Sequence, residues 1–112
     1  MSVEGKWTLF YDWDCDGSYS STSMEVKADG TWTNGEGYDG LWVSLAGMFM
    51  FHFNNSETTY AGNHASLSIT GIMTTFSGTG ALKGCFYMLK SGVRTTFADE
   101  RDMKKANSLG EQ

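Results

Sequence analysis

Apolar and polar residues alternate along the chain in short stretches separated by turn-forming residues. The first stretch, residues 6–13 (KWTLFYDW), places Trp7, Leu9, Tyr11 and Trp13 on one face, as a strand with a two-residue period does. Similar stretches follow at 20–27, 31–35, 40–46, 48–54, 58–63, 66–75 and 82–90. The pattern predicts eight short strands, and none of the connections is long enough for a crossover helix.

Consecutive strands joined by tight turns favour an all-β fold, an eight-stranded antiparallel up-and-down β-barrel, because closure leaves no strand edge exposed. The 112 residues fit one domain, and 14 glycines with no proline suit many hairpin turns. We expect the barrel domain at residues 1–90. Residues 91–112 differ in character: Thr95 or Thr96 is a candidate N-cap, acids follow, and Lys104 and Lys105 come later. A short C-terminal helix and a frayed tail are both compatible with this pattern.

Period-two alternation also predicts which side chains point into the barrel. They are Leu9, Tyr11, Trp13, Met24, Val26, Trp32, Trp42, Phe49, Phe51, Phe53, Tyr60, Ile69, Met73, Phe86 and Met88. One hypothesis is that these side chains fill the narrow bore completely. The other is a pocket at the open end, lined by Tyr11, Trp13, Trp42, Tyr60 and Ser44, which would suit a small flat, aromatic or apolar ligand.

The opposite parity of two adjacent strands is also apolar. Leu41, Val43, Leu45, Met48 and Met50 occupy positions where a monomeric barrel would present polar side chains to water. Contiguous exposed apolar patches usually mark interfaces, so we expect a homo-oligomer that packs barrel wall to barrel wall.

Charge narrows the classes of partner. The net charge is −5, and the chain up to Lys90 carries four basic against nine acidic residues, which disfavours nucleic acid and anionic membranes as partners. Alternate turns of an up-and-down barrel share one end, and that end collects six acids: Asp12, Asp14, Asp16, Glu36, Asp39 and Glu57. The predicted acidic mouth would favour a cation or a positively charged ligand.

No targeting signal is apparent. The stretch MSVEGKW has no basic region followed by an apolar one, and no apolar run approaches the roughly 20 residues of a membrane span. We expect a soluble protein, cytoplasmic as given, or secreted or periplasmic if the chain is trimmed.

The segment DWDCDGSYS, residues 12–20, begins like a calcium loop. Asp12, Asp14, Asp16 and Gly17 match positions 1, 3, 5 and 6 of an EF-hand, but position 12 falls on Ser23 where a glutamate is required. Asp and Gly are equally typical of hairpin turns, and strand alternation predicts that Asp12 and Asp14 point outward to solvent. A hairpin turn is therefore the interpretation we favour. Calcium at Asp12, Asp14 and Asp16 is the alternative, and no other cofactor is predicted.

No catalytic residues are predicted. His52 and His64 lie apart without neighbouring metal ligands, and no nucleophile elbow, phosphate loop or zinc motif occurs. An enzyme of the kind that uses little more than a shaped cavity, a cyclase or isomerase, leaves no sequence signature and stays open.

Several features resemble small lipocalin-like and avidin-like barrels, the calycin group. Gly5-Lys6-Trp7 is similar to the G-x-W that opens their first strand, and MEVKADGTW, GLWVSLAG, SITGIMTT and KGCFYML follow in the same order as their later strands. The resemblance covers residues 5–90. SETTYAG (56–62) is similar to the avidin strand that offers a serine and a threonine to biotin, which implies Ser56 and Thr58 as ligand-binding residues. Leu9, Tyr11 and Trp13 stand where avidins place Asn, Leu and Ser, so the implied ligand is not biotin.

The two cysteines, Cys15 and Cys85, can form a single intramolecular disulfide. Closure of the barrel places the last strand, with Cys85, antiparallel to the first and near Cys15, and CDG and GC-aromatic look similar to segments of small lipocalin-like domains. A disulfide in an oxidising compartment and two thiols in a reducing one both remain open. Taken together, the sequence predicts a small-molecule-binding barrel with an unnamed ligand. An interaction or structural module that uses its outer wall is the principal alternative.

Overall fold

The computed structural model of the chain describes residues 3–77 and 80–91. Eight strands follow one another: β1 (Gly5–Trp13), β2 (Ser20–Val26), β3 (Thr31–Asn34), β4 (Asp39–Leu45), β5 (Met48–Phe53), β6 (Thr58–His64), β7 (Ser68–Ser77) and β8 (Gly80–Lys90). Each strand is antiparallel to its neighbours, and β1 pairs with β8, so the sheet closes into a barrel. The predicted eight-stranded antiparallel up-and-down β-barrel is confirmed. The expected C-terminal helix or tail, with Thr95, Thr96, Lys104 and Lys105, lies outside the described residues.

Turn chemistry explains the short connections. Ala46 and Gly47 form the two-residue turn between β4 and β5, and both have positive φ, at 54° and 84°. Two consecutive positive φ values are typical of the tight hairpin turns whose twist matches that of the flanking strands. The β1–β2 turn contains Asp14, Cys15 and Gly17 with φ of 73°, 53° and 95°. DWDCDGSYS therefore spans the end of β1 and a hairpin turn, as we favoured from its residue types.

Glycine lets strands approach closely at β4. Gly40 is buried, and a Cβ atom at this position would meet the carbonyl oxygen of His52 and the indole nitrogen of Trp32. The indole donates to the same His52 oxygen, at 3.2 Å. The absence of a side chain at Gly40 is thus what allows Trp32 to cross β4 inside the barrel.

The inward-facing side chains form the hydrophobic core, which fills the barrel interior except near one end. Trp7, Trp32 and Phe49 are fully buried, and Phe51 stacks at a ring-centroid distance of 4.5 Å on Tyr60. All fifteen side chains predicted to face inward belong to the core or pack against it; Tyr11, Trp13, Trp42 and Phe53 are the four that remain partly accessible. The assignment of the inner face by alternation is therefore confirmed.

The two ends of the barrel differ. Trp7 plugs one end, where its indole donates to the Val3 carbonyl at 2.8 Å and the Lys90 ammonium lies 5.0 Å from its ring centroid. The β2–β3, β4–β5 and β6–β7 turns lie at this closed end. The β1–β2, β3–β4 and β5–β6 turns lie at the other end, the mouth. Residues 3–77 and 80–91 contain no helix long and apolar enough to cross a membrane.

Candidate functional site

A cavity of about 320 Å³ opens at the mouth, above the filled part of the bore. Leu9 and Tyr60, which are 1% and 3% exposed, belong both to its lining and to the core beneath it. Both hypotheses about the bore are thus partly right, because the lower layers are filled and the uppermost layer is not. The volume is at the small end of the range of about 300–1,000 Å³ that is usual for ligand sites.

Aromatic side chains form much of the cavity wall. They are Tyr11, Trp13, Tyr38, Phe53 and Tyr60. The ring of Phe53 lies 5.7 Å from that of Tyr60, nearly parallel to it, and 5.6 Å from that of Tyr38 in an edge-on arrangement. These contacts fix the ring orientations, so the apolar faces lining the cavity are largely pre-positioned.

Two hydrogen-bonded pairs supply polar groups. The Tyr11 hydroxyl donates to Oε2 of Glu36 at 2.8 Å, which joins β1 to the β3–β4 turn across the mouth. On the other side, the Ser56 hydroxyl donates to Oγ1 of Thr58 at 2.9 Å. Asn34 and Asn55 also line the cavity. The side-chain oxygen of Asn34 accepts from the backbone N–H groups of Glu36 and Tyr38, both at 3.0 Å, and so shapes the turn that carries the carboxylate.

Both tyrosines that face each other in the mouth are held in the neutral form. Burial raises the pKa of the Tyr60 hydroxyl well above its ordinary value near 10, with smaller contributions from Tyr11 and Glu36. Burial also raises the pKa of Tyr11, and its hydrogen bond to the Glu36 carboxylate adds to that shift. Both hydroxyls therefore remain hydrogen-bond donors throughout the neutral pH range.

The structure brings together most of the predicted ligand-binding residues. Tyr11, Trp13, Ser56, Thr58 and Tyr60 all line the cavity. Trp42 and Ser44 do not. β4 runs away from the mouth, and the Trp42 indole donates to the Lys27 carbonyl at 2.9 Å at the closed end, while exposed Ser44 lies still nearer that end. Alternation predicts the face on which a residue lies but not its height along the barrel.

Four lining residues come from turns or strand ends and were predicted neither as ligand-binding nor as inward-facing residues. They are Asn34, Glu36, Tyr38 and Asn55. Glu36 was expected at the mouth as part of its acidic rim, but strand periodicity carries no information on where a turn side chain points. The turn composition of residues 34–38, with asparagine and two glycines, was the available signal for a tight loop that folds over the opening.

The three aspartates of DWDCDGSYS have separate roles. Asp12 is only 2% exposed, and Oδ2 accepts the Gly17 N–H at 2.7 Å. The expectation that alternation aims Asp12 into solvent is wrong, because the turn brings Gly17 back onto its carboxylate. Asp14 is exposed. Asp16 accepts the Ser18 N–H at 3.0 Å, and this hydrogen bond, with a smaller effect of Asp12, lowers the pKa of the Asp16 carboxyl. Within the described ranges, no group of three or more His, Cys, Asp or Glu side chains is arranged to hold a metal ion.

A disulfide joins Cys15 to Cys85, with their Cα atoms 5.3 Å apart. Cys85 pairs with Asp12 in the β1–β8 ladder, so the bond lies beside the seam where the first and last strands meet. The residue before Cys15, Asp14, adds a backbone hydrogen bond by donating its N–H to the Lys83 carbonyl at 2.8 Å. The β1–β2 turn at the mouth is thereby fastened to β8.

Neither histidine lies in the cavity. The Nδ1 atom of His52 is 2.8 Å from the Thr59 hydroxyl on the outer face, and His64 sits at the closed end with its ring centroid 6.2 Å from that of Trp7. Burial lowers the pKa of His64, so the neutral ring is favoured there. Glu36 is the one carboxylate among the described residues that line the cavity, so the described lining offers no acid–base pair of the kind that a histidine would complete.

The outer surface of β4 and β5 is apolar, as predicted from the opposite parity. Leu45 is 80% exposed, and Leu41, Val43, Met48 and Met50 are exposed as well. The strand register continues this surface sideways: Val43 pairs with Met50, Met50 with Ala61, and Ala61 with Ile72. We call the six exposed side chains Leu41, Val43, Leu45, Met48, Met50 and Ile72 the outer apolar wall.

The fold and the site define a class, a closed eight-stranded barrel with a small aromatic cavity at its mouth. Comparison with known proteins does not assign the chain to a family, since no family model, no curated protein and no solved structure matches it.

Proposed function

We propose that this protein is a small-molecule-binding barrel whose ligand enters the mouth cavity. The observation that carries the proposal is the contrast between a bore filled to the level of Phe51 and an unfilled uppermost layer of about 320 Å³. A barrel of this strand number has enough inward side chains to fill itself. A space walled by aromatic rings with a few polar atoms is the ordinary form of a ligand site.

The resemblance to lipocalin-like and avidin-like domains supports the same proposal. It implies ligand contact through Ser56 and Thr58, which both line the cavity and bond to each other at 2.9 Å. Leu9 and Trp13 stand where avidins place the polar residues Asn and Ser that hold biotin on the first strand. The aromatic wall suits a flat, largely apolar molecule. We therefore propose a ligand other than biotin.

A neutral aromatic probe tests the proposal. 4-tert-Butylphenol should bind, as measured by ligand-observed saturation-transfer NMR and by calorimetry. Ser56→Trp should abolish binding, because Ser56 lines the cavity and is exposed enough to accept a large ring without disturbing the core. The matched control is Ser21→Trp, on the exposed outer side of β2. Binding that survives Ser56→Trp would place the probe elsewhere. Absence of binding by this probe and by its charged analogues described below would overturn the proposal.

We also propose that the outer apolar wall is covered by a second copy of the chain. Six apolar side chains that are 45–80% exposed make a contiguous patch of several hundred Å², comparable with the ~800 Å² that each partner contributes to a standard interface. The six side chains of the outer apolar wall are uncharged, and the exposed His52, which pairs with Leu41, borders them. A two-fold contact places a patch against itself, where any charge would meet its like, so an uncharged patch suits self-association.

Native mass spectrometry and light scattering test this second proposal. We expect a dimer for the wild-type protein and a monomer for Met50→Glu, because the new carboxylates would be buried together at the interface. Ser21→Glu adds the same charge to another exposed outer position and should leave the dimer intact. A wild-type protein that is monomeric at 100 μM would overturn the proposal.

A further inference from the structure

The mouth cavity has an unbalanced charge. Of the described residues that line it, Glu36 is the one acid, and none is Lys, Arg or His. The rim adds exposed carboxylates at Asp14, Asp16 and Glu57. Lys83, on the exposed side of β8, is the basic residue of the described strands nearest to this end. The cavity therefore lies in a negative field that a cation would neutralise.

The Glu36 carboxylate is held in place over the cavity. Oε2 accepts the Tyr11 hydroxyl at 2.8 Å, and the backbone N–H of Glu36 donates to the Asn34 side chain at 3.0 Å. Tyr11 uses the single proton of its hydroxyl in this bond, which leaves lone pairs on both carboxylate oxygens for another donor. An N–H donor of a ligand, or a cationic centre without N–H groups, is the natural partner for a carboxylate fixed in this way.

The aromatic walls complete a site for an organic cation. The faces of aromatic rings carry negative charge density and attract ammonium groups within about 6 Å. Tyr11, Trp13, Tyr38, Phe53 and Tyr60 surround a space that is too small for a large ligand. Contacts among the rings of Tyr38, Phe53 and Tyr60 fix the orientation of these three. Burial of an anionic ligand here would place it against Glu36 and against ring faces that repel it.

We propose that the ligand of the mouth cavity is a small organic ammonium ion, with its cationic nitrogen beside the Glu36 carboxylate and its hydrocarbon part against the aromatic rings. This inference rests on the proposed function, since it names the chemical class of the molecule that the cavity takes. Glu36 determines the preference for charge, and the ring faces contribute to binding of charged and uncharged molecules alike.

The test compares three probes of nearly the same shape and different charge. They are 4-hydroxyphenyltrimethylammonium, neutral 4-tert-butylphenol and anionic 4-hydroxybenzenesulfonate, with dissociation constants measured by calorimetry at low ionic strength. We expect the ammonium ion to bind at least tenfold more tightly than the neutral probe, and the sulfonate to bind most weakly. This comparison uses the wild-type protein and needs no variant to fold.

Two matched variants assign the preference to its residue. Glu36→Gln keeps an acceptor for the Tyr11 hydroxyl and removes the charge, so the ammonium probe should fall to the affinity of the neutral probe, whose own affinity should change less than twofold. Glu57→Gln removes a rim charge that does not line the cavity and should change the ammonium affinity less than threefold. Thermal unfolding checks that both variants fold like the wild type.

The outcomes separate this inference from the proposed function. If the neutral and ammonium probes bind equally, the inference is overturned while the cavity remains a binding site. If no probe binds, the proposed function fails as well. Equal losses of ammonium affinity in Glu36→Gln and Glu57→Gln would show that the general field of the rim, and not Glu36, selects charge, and would overturn the role assigned to Glu36.

Discussion

Removal of the Cys15–Cys85 disulfide should destabilise the barrel by about 4 kcal/mol. The bond closes a loop with a sequence separation of 70 residues. For a loop of this length the chain-entropy relation gives a stabilisation of about 4 kcal/mol at 25 °C. A domain of this size is stable by roughly 6–17 kcal/mol in total. The disulfide thus accounts for a large fraction of the free energy of unfolding.

The position of the bond supports the full entropic value. Among the strands that the structure describes, seven of the eight pairs join strands that are consecutive in the sequence, and the β1–β8 pair joins the first strand to the last. The disulfide holds that pair together in the unfolded chain, where closing so long a loop is otherwise costly. In the folded state its Cα atoms lie at 5.3 Å, within the usual range for a disulfide, so we expect little loss to strain of the backbone.

The assay is guanidinium unfolding of the oxidised protein, the reduced protein and the double variant Cys15→Ser/Cys85→Ser. With a denaturant slope of about 4 kcal/mol per molar, the midpoint should fall by about 1 M in both the reduced protein and the variant. Agreement between these two forms separates loss of the bond from the effect of the serine side chains. A shift below about 0.3 M with an unchanged slope would refute the argument that the disulfide acts by constraining the unfolded chain.

Two further predictions concern the core and the ladder. The pKa of Tyr60 is raised in the folded state, so the neutral hydroxyl contributes stability that is complete below pH 10 and is lost as the pH rises further. Tyr60 should therefore not titrate reversibly near pH 10. Absorbance at 295 nm should therefore show the same reversible amplitude in Tyr60→Phe, and a smaller amplitude would contradict burial of this hydroxyl. Gly40→Ala should lower the free energy of unfolding by at least ~3 kcal/mol, because the new Cβ would clash with the His52 carbonyl oxygen and the Trp32 indole. In Gly80→Ala, where no described atom lies within 4 Å of the added Cβ, thermal unfolding should change little, and equal stability of the two variants would disprove the close-packing argument.

Most of the fold could be predicted from the two-residue period of apolar and polar side chains along the strands. In a barrel every strand has one dry face and one wet face, so alternation alone separates Leu9 and Phe51 from their outward neighbours. The positions of the turns followed from Gly, Asp and Asn, whose backbone preferences are local. Closure followed from the number of strands and the shortness of their connections.

The candidate site and its rim were harder to predict from the same pattern, for three physical reasons. Trp42 faces inward as predicted but lies at the closed end, because the stagger of neighbouring strands sets the height of a residue and leaves no mark on alternation. Glu36 and Tyr38 enter the cavity from a turn whose path depends on the hydrogen bonds accepted by Asn34. Asp12 is a third case, since a bend two residues later reverses the exposure that alternation assigns to it.

The chain enters and leaves the barrel side by side. The N–H of Ser91, just after β8, donates to the Lys6 carbonyl at 2.8 Å, and Lys90 reaches the carbonyl of Glu4 at the closed end. Both hydrogen bonds lie at the closed end, opposite the mouth. A label attached at Ser91 itself would lie at the closed end, away from the entrance of the cavity. Immobilisation through the closed end of the described barrel is consequently compatible with an instrument that detects ligand capture at the mouth.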